Sequence, residues 1–147
     1  MGIKKRHALW NALIIASLIV SMLAFIIHYK NWIRLQDSSL QILSGIYYVN
    51  WNFQDISEVQ LVERLPAMER LNGFSACEKE KGVYQDSLVG PKKIYVYVDN
   101  LKNPKIRLQR RDSLSLYLNL SDSLETIQVY ELLSARLDSD RIQAEGK

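Results

Sequence analysis

Two histidines, one cysteine and a few neighbouring carboxylates are the side chains of this 147-residue chain that could carry acid–base, nucleophilic or metal chemistry. His7 and His28 flank an uncharged run at residues 8–27, so everything after position 28 lacks histidine. With only Cys77 beside that absence, neither a Ser-His or Cys-His nucleophile pair nor a tetrahedral Cys/His zinc site can be assembled there. Gly73, Gly82 and Gly90 are isolated, so no glycine-rich loop exists to cradle a phosphate. Glu78 with Glu80, and Asp138 with Asp140, are the carboxylate pairs that could do general acid–base work, but both lie in charged segments that read as solvated. The sequence therefore predicts no enzyme, no cofactor, no metal and no small-molecule substrate.

Basic residues are the other chemistry on offer. Residues 92–111 hold Lys92, Lys93, Lys102, Lys105, Arg107, Arg110 and Arg111 against Asp99 alone. On a strand, period two puts Lys105, Arg107 and Gln109 on one face and Ile106 and Leu108 on the other, so the charges are expected to project together into water. Lys92, Lys93, Lys105, Arg107, Arg110 and Arg111 are thus candidate contacts for anionic lipid or a partner, each worth about 1 kcal/mol near an anionic surface. An ordinary solvated strand face, charged to discourage edge pairing, is the plainer reading of the same pattern.

The uncharged run supplies such a surface. Residues 8–27 would form a helix about 30 Å long, enough to cross a bilayer. Trp10 at one end and Tyr29 and Trp32 at the other are expected interfacial anchors. The apolar core is longer than that of a secretory signal and no small-x-small site follows it, so an uncleaved anchor is expected. Arg6, where Ser or Thr is wanted after Met1-Gly2, argues against myristoylation. Lys4, Lys5 and Arg6 precede the span, and Lys30 and Arg34 follow it. That bias favours a cytoplasmic N-terminus and a domain outside the inner membrane, with a cytoplasmic domain as the alternative. Ala12 with Ala16, and Ser17 with Ser21, have the spacing of small-residue helix contacts, although a lipid-facing helix without a partner is the plainer reading of them.

The formal charge of +3 is concentrated at the anchor. Lys4, Lys5, Arg6 and Lys30 account for four of the 19 basic residues, and the other 15 meet all 16 acidic ones further along the chain. A near-neutral domain gives no reason to expect nucleic acid. The chain divides into a basic flank (1–7), a transmembrane helix (8–29), a polar linker (30–38), a β domain with a C-terminal helix (39–138) and a polar, disordered tail (139–147).

Within the domain, alternation at 46–53 puts Tyr47, Val49, Trp51 and Phe53 on one face, with a turn or bulge at Gly45. A second strand at 56–65 closes at Pro66, Asn72-Gly73 reads as a tight turn, and 78–81 reads as a charged loop. Strands follow at 94–98, at 105–108 after Pro104, and at 114–120. Asp122-Ser123-Leu124-Glu125 fits a capping box, after which Leu124, Ile127, Tyr130, Leu133 and Leu137 share a helical face. The prediction is a partly open barrel of about seven antiparallel strands, capped by one amphipathic helix.

The order of Leu65-Pro66, Arg70-Leu71-Asn72-Gly73-Phe74, Gly82-Val83-Tyr84, residues 94–98, Pro104-Lys105-Ile106, and Asn119 with Asp122, Thr126 and Tyr130 resembles the bacterial pleckstrin-homology-like (PH-like) domain family over residues 40–137. The resemblance implies two bent antiparallel sheets capped by a C-terminal helix, attachment to transmembrane helices and no assigned activity. Leu65, Pro66, Gly73 and Tyr130 are expected to serve folding rather than partner contact. Two functions follow as expectations. One is a non-catalytic, membrane-anchored interaction module that meets a protein partner or anionic lipid. The other is a scaffold subunit of a bacterial envelope complex, packed through its transmembrane helix.

Overall fold

Alternation of apolar side chains sets the strands, and where it stops the chain turns. The computed structural model describes residues 2–88, 90 and 92–145, with the side chains of 2–6, 27, 28, 141 and 143–145 left out. Expectations that rest on the side chains of Lys4, Lys5, Arg6 and His28, or on residues 146–147, lie outside the described residues. The elements run α1 (Gly2–Tyr29), β1 (Asn31–Leu35), β2 (Ser39–Ser44), β3 (Tyr47–Asn52), a 3-10 turn (Phe53–Asp55), β4 (Ile56–Val62), β5 (Met68–Ala76), β6 (Lys79–Asp86), β7 (Lys93–Val98), β8 (Lys105–Arg110), β9 (Ser115–Leu118) and α2 (Ser123–Glu145).

In α1 the stretch His7–Ile26 is long and apolar enough to cross a membrane, with mean hydropathy 2.3, and none of it is buried. Only Lys30 separates α1 from β1, so the expected linker at 30–38 is largely a strand. Trp32 belongs to that strand. The aromatic anchors within α1 itself are Trp10, near the start of the apolar stretch, and Tyr29, just past its end, about 28 Å apart along the helix axis.

β1, β2 and β3 form an antiparallel sheet in that order. Its inner rungs are Ile33, Ile42 and Val49, then Leu35, Leu40 and Trp51, while the turn between β2 and β3 is made by Gly45 at φ +63°. The larger sheet has the order β4-β8-β9-β7-β6-β5, giving nine strands in all among the described residues. Among the described residues no strand pairing joins the two sheets, so the barrel is not closed. Nor is the pattern wholly antiparallel: β7 and β9 run parallel, because β8 returns antiparallel to both β4 and β9.

The core lies between the sheets under α2. Leu40, Ile42, Trp51 and Phe53 meet Tyr97, Ile106, Leu108, Leu116 and Leu118, and Leu133 and Leu137 of α2 close the open side. Asp122 caps that helix by accepting the backbone N–H of Leu124 at 2.7 Å. Leu124 itself faces solvent, so the buried stripe starts at Thr126. The helix also runs on through Glu145, in place of the disordered tail expected from 139. A second cluster, Tyr84, Ile94, Val96, Val98 and Tyr117, fills the opposite face of the large sheet beneath the β4–β5 connection.

Two glycines fix the pairing of β5 with β6. Asn72 and Gly73 are not a turn: they sit inside β5 beside a bulge at Arg70 to Asn72, and Gly73 lies directly opposite Gly82. Residues 79–81 are the start of β6 rather than a loop, and the turn falls at Cys77, φ +55°, and Glu78. A Cβ on Gly73 would lie 2.2 Å from the Lys81 carbonyl oxygen, and one on Gly82 would lie 2.1 Å from that of Asn72. Both residues also hold positive φ, +132° and +156°. Gly73→Ala therefore combines backbone strain with a backbone clash, and urea unfolding of the full chain in detergent is expected to show a loss of about 3 kcal/mol or more.

Candidate functional site

A lysine enclosed in protein needs a counter-charge and acceptors, and Lys81 finds both where α1 enters the domain. Its Nζ lies 2.8 Å from Oδ1 of Asp99, and both side chains are 0% exposed. The same Nζ donates to Oδ1 of Asn31 at 2.9 Å, and that oxygen also accepts the Ser44 hydroxyl at 2.6 Å. The backbone N–H of Asn31 donates to the other Asp99 oxygen at 2.8 Å. Its side-chain Nδ2 donates to the carbonyls of Tyr97, at 2.6 Å, and Asn119, at 2.8 Å. Asn119 continues the network, its Oδ1 accepting the N–H of Asp99 at 2.8 Å. Burial pushes the Lys81 amine below the ordinary lysine value, and the Asp99 carboxylate opposes that shift.

Lys79, next on the same face of β6, ties this network to the helix. Its Nζ donates to the Tyr29 carbonyl at 2.8 Å, stands 4.5 Å from the centre of the Tyr29 ring and lies 3.8 Å from Asp99. A cation at the carbonyl end of α1 is favoured by the helix dipole. Six side chains, from β1, β2, β6 and the segments just after β7 and β9, thus converge one residue beyond the apolar helix.

The basic strand face is a different matter. Lys105, Arg107 and Gln109 do share one side of β8, but that side is covered. Lys105 is buried, because Nζ donates to the carbonyls of Glu63 at 2.7 Å and Leu101 at 2.6 Å beneath the β4–β5 connection. Arg107 donates to Gln60 and Gln109. Arg110 pairs with Asp112, holding that carboxyl down to about 2, and stacks 5.4 Å over Trp51. Lys92, Lys93 and Arg111 are exposed. The expected array of charges projecting together into water is therefore not formed.

The motif residues are scattered over the domain. Leu65 packs on the second cluster from the β4–β5 connection, Pro66 follows it there, and Pro104 precedes β8. Arg70 donates to the Tyr84 hydroxyl at 3.2 Å, which in turn donates to Glu80 at 2.9 Å. Asn72 accepts the Tyr47 hydroxyl at 3.1 Å. Thr126 accepts the Leu120 N–H at 3.0 Å at the foot of α2. Tyr130 lines an open cleft of about 640 Å³ between β4 and α2, with Gln60, Gln109 and Asp138. A second cleft, about 420 Å³, lies between Glu63, Glu80 and Lys105. Of the carboxylate pairs, Glu78 binds Lys102 and Glu80 binds Tyr84, so the two are committed to different partners. Among the described residues no three His, Cys, Asp or Glu side chains are grouped to hold a metal ion.

No protein family, curated protein or solved structure matches the chain. The residues that sequence reasoning missed are Asn31, Ser44, Lys81 and Asp99. Their one advance signal is that a charged lysine directly precedes the apolar stretch Gly82-Val83-Tyr84.

Removing one member of the buried pair leaves the other charge unpaired. Asp99→Ala is expected to cost about 3–5 kcal/mol in urea unfolding, and Lys81→Met combined with Asp99→Asn, which keeps an acceptor for the Asn31 N–H, is expected to cost less. Burial also lowers the Lys105 amine below 10.5. Between the lowered value and 10.5 the unfolded chain holds more protons than the folded one, so this group contributes stability that rises with pH. Lys105→Met is expected to flatten the pH dependence of the urea midpoint across that window relative to the wild type.

Proposed function

We propose that the chain is a non-catalytic interaction module, anchored by α1 in a bacterial inner membrane, which presents its β domain to a protein partner at a fixed orientation. The observation that carries this reading is the junction. An exposed apolar helix passes through one residue into a strand whose first side chain, Asn31, is buried in the Lys81–Asp99 network. A tether that merely kept a domain near a membrane would not require such a joint. A histidine-free domain in which Glu78 and Glu80 are committed to different partners supports the non-catalytic reading. The order of the motifs, together with two β sheets under a C-terminal helix, supports a PH-like domain, while the parallel β7–β9 pair is a departure from the expected pattern.

Burial of Lys105 and the internal partners of Arg107 and Arg110 favour a protein partner over an anionic lipid surface read by this strand. The basic residues Lys4, Lys5 and Arg6 before the apolar stretch support a cytoplasmic N-terminus and an extracytoplasmic domain.

Affinity purification after crosslinking in native membranes tests the reading. The proposal expects the set of crosslinked proteins to survive replacement of Ala12, Ala16, Ser17 and Ser21 by Leu, and to be lost when exposed side chains of the domain are changed. Loss on the helix substitutions alone would favour a scaffold subunit packed through its span. Loss of lipid crosslinks to the domain on reversing Lys92, Lys93 and Arg111, with the chain still held by α1, would favour lipid recognition.

A further inference from the structure

The outer face of the small sheet changes character along its length. Its first rung is Trp32, Leu43 and Tyr48, which pair in register across β1, β2 and β3. These side chains are 55%, 39% and 60% exposed, and Ile46, at the tip of the β2–β3 turn beside them, is 76% exposed. The next rung on the same face is Arg34, Gln41 and Asn50, and Asn52 lies beyond it. The apolar rung is the one nearest α1. Other exposed aliphatic side chains of the domain, such as Leu61, Leu88 and Leu124, sit on separate elements.

We propose that this rung and Ile46 lie in the interfacial layer of the membrane that α1 crosses, so that the small sheet docks on the lipid and sets the tilt of the domain. The inference rests on α1 being a membrane span. Three observations select lipid as the occupant. Trp32 is three residues past the end of α1, hence within about 10 Å of it along an extended chain, and the buried Asn31 leaves no slack to carry the rung away. The patch thereby continues the wholly exposed apolar surface of α1. Its composition is that of an interface: a Trp and a Tyr with apolar bodies and polar tips, beside two aliphatic side chains. Exposed Lys30 and Arg34 bracket Trp32, where they would meet headgroup phosphates.

Site-directed spin labelling of the full chain, in vesicles of phosphatidylethanolamine and phosphatidylglycerol, tests this. Cys77→Ser removes the native thiol. Leu13→Cys, Ile46→Cys, Tyr48→Cys and Asn52→Cys then report the span, the patch and the far end of the same sheet face. The expected result is a lipid-like preference for oxygen over a water-soluble nickel complex at position 13, a raised preference at 46 and 48, and an aqueous signature at 52. Positions 46 and 48 as open to nickel as 52, with 13 still lipid-like, would overturn the docking and leave the anchor standing. An aqueous signature at 13 would overturn both. Spin–spin broadening between labels at 48 would show that a second copy covers the patch, and would overturn lipid as its occupant.

Discussion

The ion pair between Lys81 and Asp99 is the contact on which the arrangement of the chain depends. Taking both charges out of water is costly, and their attraction offsets that cost only when the remaining donors and acceptors are also satisfied. Asn31 meets that need. Its amide oxygen accepts from Lys81, its backbone N–H reaches Asp99, and its Nδ2 bonds two carbonyls of the large sheet and its continuation. The pair therefore has these further partners only with β1 in place, and β1 cannot be held there without fixing the end of α1. A buried network of this kind is unforgiving of displacement, because a shift that breaks one bond leaves a charge without its partner.

The same residue type meets opposite fates elsewhere for reasons of cover rather than charge. Lys105 lies on a strand whose alternation reads as solvent-facing, yet the β4–β5 connection folds over it and supplies the Glu63 carbonyl. Lys92 and Lys93, just before and at the start of β7, have no such cover and stay exposed. Hence a count of basic residues over 92–111 overstates the charge that a ligand would meet. The domain behaves electrostatically as its near-neutral composition indicates, with most cations already committed to internal partners.

Much of the fold was legible because its signals are local. Alternation in residues 47–52, 93–98 and 105–110 marks three strands, and Asp122 with the spacing of Tyr130, Leu133 and Leu137 marks the closing helix. What stayed hidden depends on residues far apart in the chain. β1 is five residues long and abuts the helix, so its pattern is too short to separate from a linker until β2 pairs with it. Asn72-Gly73 has the local chemistry of a turn, but the close approach of Gly82 across the ladder decides otherwise. Lys79, Glu80 and Lys81 read as a solvated loop because Asp99, 18 positions after Lys81, is what makes burial of the lysine tolerable. The parallel pairing of β7 with β9 has no local signature at all, since it is set by where β8 returns.

A rigid joint has a mechanical consequence that a flexible linker lacks. With Lys79 on the last carbonyl of α1 and Asn31 locked beneath it, rotation or tilt of the helix must be carried into β1 and from there into both sheets, through the ladder to β2 and through Asp99 to the large sheet. In the proposed reading, a partner bound to the domain acts on the span through this path. Coupling of that kind requires contacts with one well-defined arrangement, and charged hydrogen bonds removed from water supply it more sharply than apolar packing, which tolerates small slips. That is a physical reason to place a costly buried ion pair at the junction rather than in the centre of the core.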